Sequence, residues 1–424
     1  MRLKEGNSQK KYGLILEAFL VGGCAGIISV LYRQLLTWTE DLVMWLSQLI
    51  HAHLYLLIPI ALLFFVIGVL IIRLLRYEPM ISGSGIPQIE GEVHGDFQEN
   101  WRRVLPCKMI AGTLASLAGL SLGREGPSIQ LGGMCGKGVA QLLHKEQDQE
   151  QLIICGAGAG LAAAFNAPLA GVLFCVEEVT KDLRTSTLLS LLAAAMTGDF
   201  LSRMVFGFAP SFSFWIDRSL PLAAYGWIIG LGIVCGMAGA FYNYATLHIQ
   251  DLFAKLYCLR NRRSVFVALF ASLLFLLFLP QVLCGGHVMV SLLESKQLLQ
   301  TLLLLLLMKF FFSLISFGSG AAGGIFFPML VLGSYLGAIY GNAVFLISDL
   351  DTSFLNNFII LGMAALFSAI VRAPLTGVVL IMEMSGGMPQ LLSLCFVSFV
   401  AYFTAQFCRS QPIYDSLLER MKRA

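Results

Sequence analysis

Three stretches of this chain, Leu54–Ile72, Val265–Leu283 and Ser385–Cys408, contain no aspartate, glutamate, lysine or arginine. Each is long enough, as a helix, to cross about 30 Å of hydrocarbon. Inside lipid every backbone N–H and C=O must be satisfied within the protein, which leaves helices or closed barrels as the only spanning structures. Charged residues make up 12% of the 424 residues and hydrophobic ones 57%, against about 25% charged in an ordinary soluble domain. The chain therefore reads as an all-α polytopic membrane protein.

The net charge of +3 is spread over the loops, with no run of like charge long enough to suggest a nucleic-acid partner. The basic group Arg260-Asn261-Arg262-Arg263 reads as a cytoplasmic loop anchor. Residues 1–12 read as a basic cytoplasmic tail, without a cleavable signal peptide. Arg420-Met421-Lys422-Arg423 is basic too, so by the positive-inside rule both termini are expected in the cytoplasm. The ten cysteines show no metal-ligand spacing and read as small buried apolar residues. No metal or other cofactor is expected.

The chain also repeats itself. Gly123, Pro127, Leu131, Gly132 and Gly136 recur as Gly324, Pro328, Leu332, Gly333 and Gly337, at one offset of 201 residues. Further on, Ala167-Pro168-Leu169 recurs as Ala373-Pro374-Leu375 and Glu177 recurs as Glu383, at an offset of 206. This predicts two membrane half-repeats, 13–216 and 217–415, with 416–424 as the end of the last helix and a short cytoplasmic C-terminus. The offsets leave open whether the halves are parallel or inverted. Each half has glycine- and proline-interrupted apolar segments at corresponding places, the best sequence pointer to a transport site built from broken helices. Such breaks are tolerated only where the freed backbone is buried in protein or lines a cavity. Strings such as Gly156-Ala157-Gly158-Ala159-Gly160 predict close helix packing.

Four of these breaks precede helix starts. They are Gly83-Ser84-Gly85-Ile86-Pro87, Gly123-Arg124-Glu125-Gly126-Pro127, Gly324-Ile325-Phe326-Phe327-Pro328 and Gln411-Pro412-Ile413-Tyr414. The free N–H groups of a helix start attract anions, and Ser84 and Tyr414 add hydroxyls without a fixed cation. That combination suits loose binding of a small anion. Glu125 is the anomaly, because a charge at bilayer depth costs roughly 3 kcal/mol on insertion scales and marks a functional candidate. Its neighbour Arg124 would raise the local positive potential for anion entry.

These four motifs, in this order and spacing, resemble the CLC chloride channel and transporter family over nearly the whole chain. The resemblance implies an inverted-repeat bundle of tilted and re-entrant helices, in a homodimer with one anion path per subunit. It implies that Ser84 and Tyr414 supply hydroxyls to a central chloride, with the backbone N–H groups of Ile325 and Phe326 completing its shell. Glu125 would be the external gate. Glu178, the second acid of Val176-Glu177-Glu178, sits where proton-coupled members carry an internal relay glutamate, whereas Glu177, repeated as Glu383, reads as structural. Gln88 replaces the glutamate that often follows the first motif, a change expected to matter little. The chain ends ten residues after Tyr414, so the paired regulatory CBS domains of many members are not expected.

The resulting expectation is a chloride/proton antiporter, not an enzyme, in the inner (plasma) membrane, with chloride, protons and the bilayer as its partners. The alternative is a passive chloride channel of the same fold. A fluoride-selective relative is disfavoured by the intact serine motif, and nitrate preference by Ser84 not being proline. An intramembrane hydrolase lacks a His-Glu-x-x-His motif or a histidine beside Ser84, and Asn166-Ala167-Pro168 is not the Asn-Pro-Ala order of aquaporins.

Overall fold

A computed structural model describes residues 2–181, 185–212, 214, 216, 218–256, 263–295, 297–386 and 388–423. Arg184, Cys258 and most of the basic group at 260–263 lie outside the described residues. The described chain is helical, with no strand longer than an isolated bridge. The first half contains α1 (Arg2–Ala52), α2 (Leu57–Tyr77), α3 (Ile86–Val93), α4 (Trp101–Leu117), α5 (Glu125–Leu142), α6 (Gln149–Phe165), α7 (Pro168–Phe174) and α8 (Thr185–Phe206). The second contains α9 (Tyr225–Lys255), α10 (Ser264–Phe278), α11 (His287–Leu292), α12 (Leu299–Gly318), α13 (Phe326–Ile347), α14 (Leu355–Val371), α15 (Pro374–Ser385), α16 (Leu391–Phe407) and α17 (Ile413–Arg423).

Seven of these helices, α1, α2, α8, α9, α12, α13 and α14, are long and apolar enough to cross a membrane. Outer helices expose large apolar side chains such as Trp38, Phe65, Phe200 and Phe403. In water such a surface would drive association, whereas in a bilayer it is the face that meets lipid. At 1.5 Å per residue, α3 and α11 reach only about 9–12 Å, far short of a bilayer's hydrocarbon core.

The centre is made by α5 packed on α6 and by α13 packed on α14; α5, α6 and α14 are almost entirely buried, and α13 is buried through its N-terminal half. The small-residue strings permit this. A Cβ at Gly132 would run into the carbonyl of Gly156, and one at Gly156 into the carbonyl of Gly132. The same crossing recurs between Gly333 and Gly362 in the other half. Only glycine lets two backbones approach this closely.

The relation between the halves is settled where they meet. Gly123 N–H donates to Gly324 O at 2.7 Å, and Gly324 N–H returns a bond to Gly123 O at 2.9 Å. Two repeat-equivalent residues exchanging reciprocal antiparallel bonds define a local two-fold axis. The helices that follow, α5 and α13, therefore start side by side about that axis.

Candidate functional site

The loop before α3 turns on Gly83 and Gly85, at φ 66° and 97°, a region that glycine enters without strain. The buried lysine of α4 holds this loop, because Lys108 Nζ donates to Ile81 O at 2.9 Å and to Gly83 O at 2.7 Å. Neighbouring strands of backbone finish the job: Gly83 N–H donates to Ala321 O at 3.2 Å, and Gly323 N–H donates to Gly83 O at 3.0 Å. Ser84 is thereby fixed against the first turn of α5, where a Cβ on Gly126 would lie 2.8 Å from Ser84 O. Its hydroxyl is buried and has no hydrogen-bond partner among the described residues.

Tyr414, in the first turn of α17, is fully buried, and its hydroxyl is likewise unpartnered. It lies within electrostatic reach of Glu178 and Glu125, and its hydroxyl is turned toward that of Ser84. Phe174 meets its ring edge-on at 6.5 Å between centroids, and Phe326 lies 5.9 Å from Phe174. Phe165 and Phe367 close on the other sides of Phe326, at 5.2 and 4.9 Å. Ile325 caps α13 and Phe326 begins it, both without solvent exposure. The N–H groups of such a first turn have no partner within their own helix. The site thus offers donors in an aromatic, water-poor enclosure.

Glu125 is the first residue of α5 and has no solvent exposure. Neither carboxylate oxygen has a hydrogen-bond partner among the described residues. The side chain folds back over Gly123, and Arg124 Nε stays 3.7 Å from Oε1, outside hydrogen-bonding distance. Orphaned buried polar atoms are rare, since each costs about 1–3 kcal/mol. Four such atoms occur here among the described residues, both Glu125 oxygens and the hydroxyls of Ser84 and Tyr414.

Glu178 lies in a π-helical turn, Cys175–Thr180, that continues α7. It is buried, and its Oε1 has no partner among the described residues. Carboxylate oxygens of Glu90, Glu178 and Asp415 lie within 4.8 Å of one another. The nearby cation does not bridge to Glu178. Lys181 Nζ instead lies 2.9 Å from Glu90 and 2.6 Å from Asp415. Burial works against its charge, but the hydrogen bonds to Asp415 and Glu90 hold the Lys181 ammonium above the usual lysine range.

A cavity of about 1090 Å³ borders Ser84 and Gly83 and is lined further by Pro87, Gln88, Phe317 and Arg420. Gln88 matters more than its sequence position suggests. Its amide donates to Ser82 O at 2.6 Å and Met80 O at 3.1 Å, bonds that an ionised glutamate has no hydrogen to make. Sequence reasoning also passed over Lys108, although a signal existed. Lys309 stands 201 residues later, and its Nζ donates to Val282 O at 3.0 Å and Cys284 O at 2.8 Å.

Comparison with known proteins bears on the family and the fold. A family model described as voltage gated chloride channel matches residues 63–406. The chain is 34% identical to the H(+)/Cl(-) exchange transporter ClcA of Klebsiella pneumoniae, over 96% of this chain and 88% of that protein. It is 35% identical to the H(+)/Cl(-) exchange transporter ClcA of Vibrio cholerae, over 96% and 90%. Among solved structures, a slow cyanobacterial Cl-/H+ antiporter superposes with a TM-score of 0.91 at 33% identity, covering 97% of this chain and 98% of that one. A CLC-type fluoride/proton antiporter, 22% identical with a TM-score of 0.78 over 95% and 97%, shares the fold.

Proposed function

The chain belongs to the voltage-gated chloride channel (CLC) family, and on that premise we propose that it exchanges chloride for protons across the membrane. The observation that carries this reading is the buried carboxylate of Glu125 near the buried hydroxyls of Ser84 and Tyr414, all without a hydrogen-bond partner among the described residues. In this reading Ser84, Tyr414 and the N–H groups of Ile325 and Phe326 hold the anion. Arg124 raises the positive potential on its approach.

Ionised Glu125 is an anion tethered among helix starts, so it competes with chloride for the same positive ends. Protonation removes that competition. The neutral acid no longer gains from the helix termini and swings away, and chloride takes its place. Loading with chloride and protonation of Glu125 therefore favour each other, which is a coupling free energy between two ligands. Exchange in opposite directions then needs a proton route from the inside, and Glu178 is the residue we assign to it. Its open Oε1 and the diversion of Lys181 to Glu90 and Asp415 support that role over a simple helix-end ion pair.

The half-repeats 13–216 and 217–415 form one transport unit in this proposal, working as a homodimer in the inner (plasma) membrane with both termini cytoplasmic. The deciding experiment is a paired record of chloride efflux and proton uptake from liposomes holding the purified protein. Chloride flow that drives protons uphill supports exchange. A reversal potential that follows chloride alone, regardless of pH, replaces it with a passive channel.

A further inference from the structure

The two halves differ by one residue close to the proposed relay acid. In the first half Glu177 is followed, four residues on, by Lys181 in a left-handed conformation at φ 52°. In the second, Glu383 is followed after three by Gly386 at φ 67°. The extra residue is absorbed as the π-helical turn Cys175–Thr180, whereas α15 stays regular. π-turns of this kind are frequent at functional sites. Here the turn ends by presenting a lysine rather than a glycine.

Lys181 joins three elements. Its ammonium lies 2.9 Å from Glu90 on α3, the helix that follows Ser84, and 2.6 Å from Asp415 on α17, the residue after Tyr414. It is itself three residues beyond Glu178. The buried Oε2 of Glu90 and Oε1 of Glu178 have no hydrogen-bond partner among the described residues, so the ammonium engages one side of an acid group whose other side stays open. Position 384, which falls on Glu178 in the repeat, is a buried methionine, so this arrangement belongs to one half alone.

We propose that Lys181 is a positioning residue for exchange, an ionic latch that ties the chloride-side helices α3 and α17 to the segment carrying Glu178. Through it, the placement of the Tyr414 hydroxyl and the cytoplasmic approach to Glu178 are set together. The inference rests on the exchanger reading for its proton half and on the anion site alone for its chloride half. Half-exposed ion pairs are weak, so the latch tunes coupling and does not create it.

The test uses Lys181→Met, Lys181→Arg and Asp415→Asn in the full chain, with two measurements on each. One is the proton-to-chloride ratio in liposomes; the other is chloride affinity of the purified protein, by calorimetric titration with potassium chloride. Lys181→Met and Asp415→Asn are expected to lower the ratio and weaken chloride binding, each by about two- to five-fold, the scale of partly exposed ion pairs. Lys181→Arg should stay close to the unmodified protein in both. Wild-type ratio and affinity in Lys181→Met and Asp415→Asn would overturn the latch, as would Lys181→Arg behaving like Lys181→Met. If the unmodified protein moves chloride without protons, the exchanger reading fails, and the chloride affinities alone decide for or against the latch. Should Lys181→Met not fold, Asp415→Asn and Lys181→Arg carry the test.

Discussion

Glu177 and Glu383 cap each other's half of the protein. The Glu177 carboxylate accepts from Leu375 N–H at 3.2 Å, from Thr376 N–H at 2.6 Å and from the Thr376 hydroxyl at 2.7 Å, all at the start of α15. The Glu383 carboxylate accepts from Leu169 N–H at 3.1 Å and Ala170 N–H at 2.8 Å, at the start of α7. Each acid satisfies donors that a helix start leaves free, and each does so across the two-fold axis. The duplication is held together by the duplicated residues.

Removing either cap should therefore cost stability without touching coupling. For Glu177→Ala or Glu383→Ala, a loss of about 1–3 kcal/mol is expected from charge-assisted hydrogen bonds of this type. Thermal unfolding in detergent measures it. A changed proton-to-chloride ratio in Glu177→Ala would move that residue from structure into the proton route.

Glu125→Gln keeps the shape of the proposed gate and removes its charge. Chloride flux is expected to persist while chloride-driven proton movement stops. Proton pumping that survives the substitution would sink the assignment of Glu125.

With Glu178→Ala, the inner end of the route is removed while the anion site keeps its shape. Proton transport should be lost with chloride flux in part retained. An unaltered coupling ratio would point to another inner acid, for which Glu90 is the nearest candidate.

The hydroxyl pair gives a third contrast. Ser84→Ala and Tyr414→Phe each delete one unpartnered hydroxyl, and each should weaken chloride binding by about 0.5–3 kcal/mol, the value of one hydrogen bond to a charged group or less. Calorimetric titration with chloride reads the effect directly. Affinity unchanged in both variants would remove these hydroxyls from the anion's shell.

Lys108 and Lys309 separate stability from binding. Each is buried and donates to two loop carbonyls, so methionine at either place should destabilise by roughly 2–5 kcal/mol. Only the Lys108 loop carries Ser84. Weakened chloride binding is thus expected for Lys108→Met and not for Lys309→Met, and equal effects on binding would show that the Lys108 contact is merely structural.

Much of the site was legible as sequence. Ser84, Glu125, Phe326 and Tyr414 each stand at a glycine- or proline-broken helix start, and the structure brings those four starts to one place. The lysines were harder to see. Lys108 and Lys309 share the offset of Pro127 and Pro328, yet their partners are backbone carbonyls about 25 residues upstream, and a carbonyl carries no residue-specific signal. Lys181 could be foreseen as a partner for Glu178 by proximity along the chain. In space it turns instead to Glu90 and Asp415, 91 and 234 residues away.

By itself the sequence determined a helical membrane protein, its duplication, the places where helices break and the acid that does not belong in lipid. These follow from hydrophobic length, fixed offsets and the backbone limits of glycine and proline, all of which are local. Tertiary structure alone decided where the halves meet, because a sequence offset carries no information about contact. The reciprocal bonds of Gly123 and Gly324 join the two at equivalent residues. It also decided which polar atoms find partners and which are left open. Hydrogen-bond satisfaction depends on what folding brings within about 3 Å, and the side-chain oxygens of Glu125, Ser84 and Tyr414 are left without a hydrogen-bond partner among the described residues.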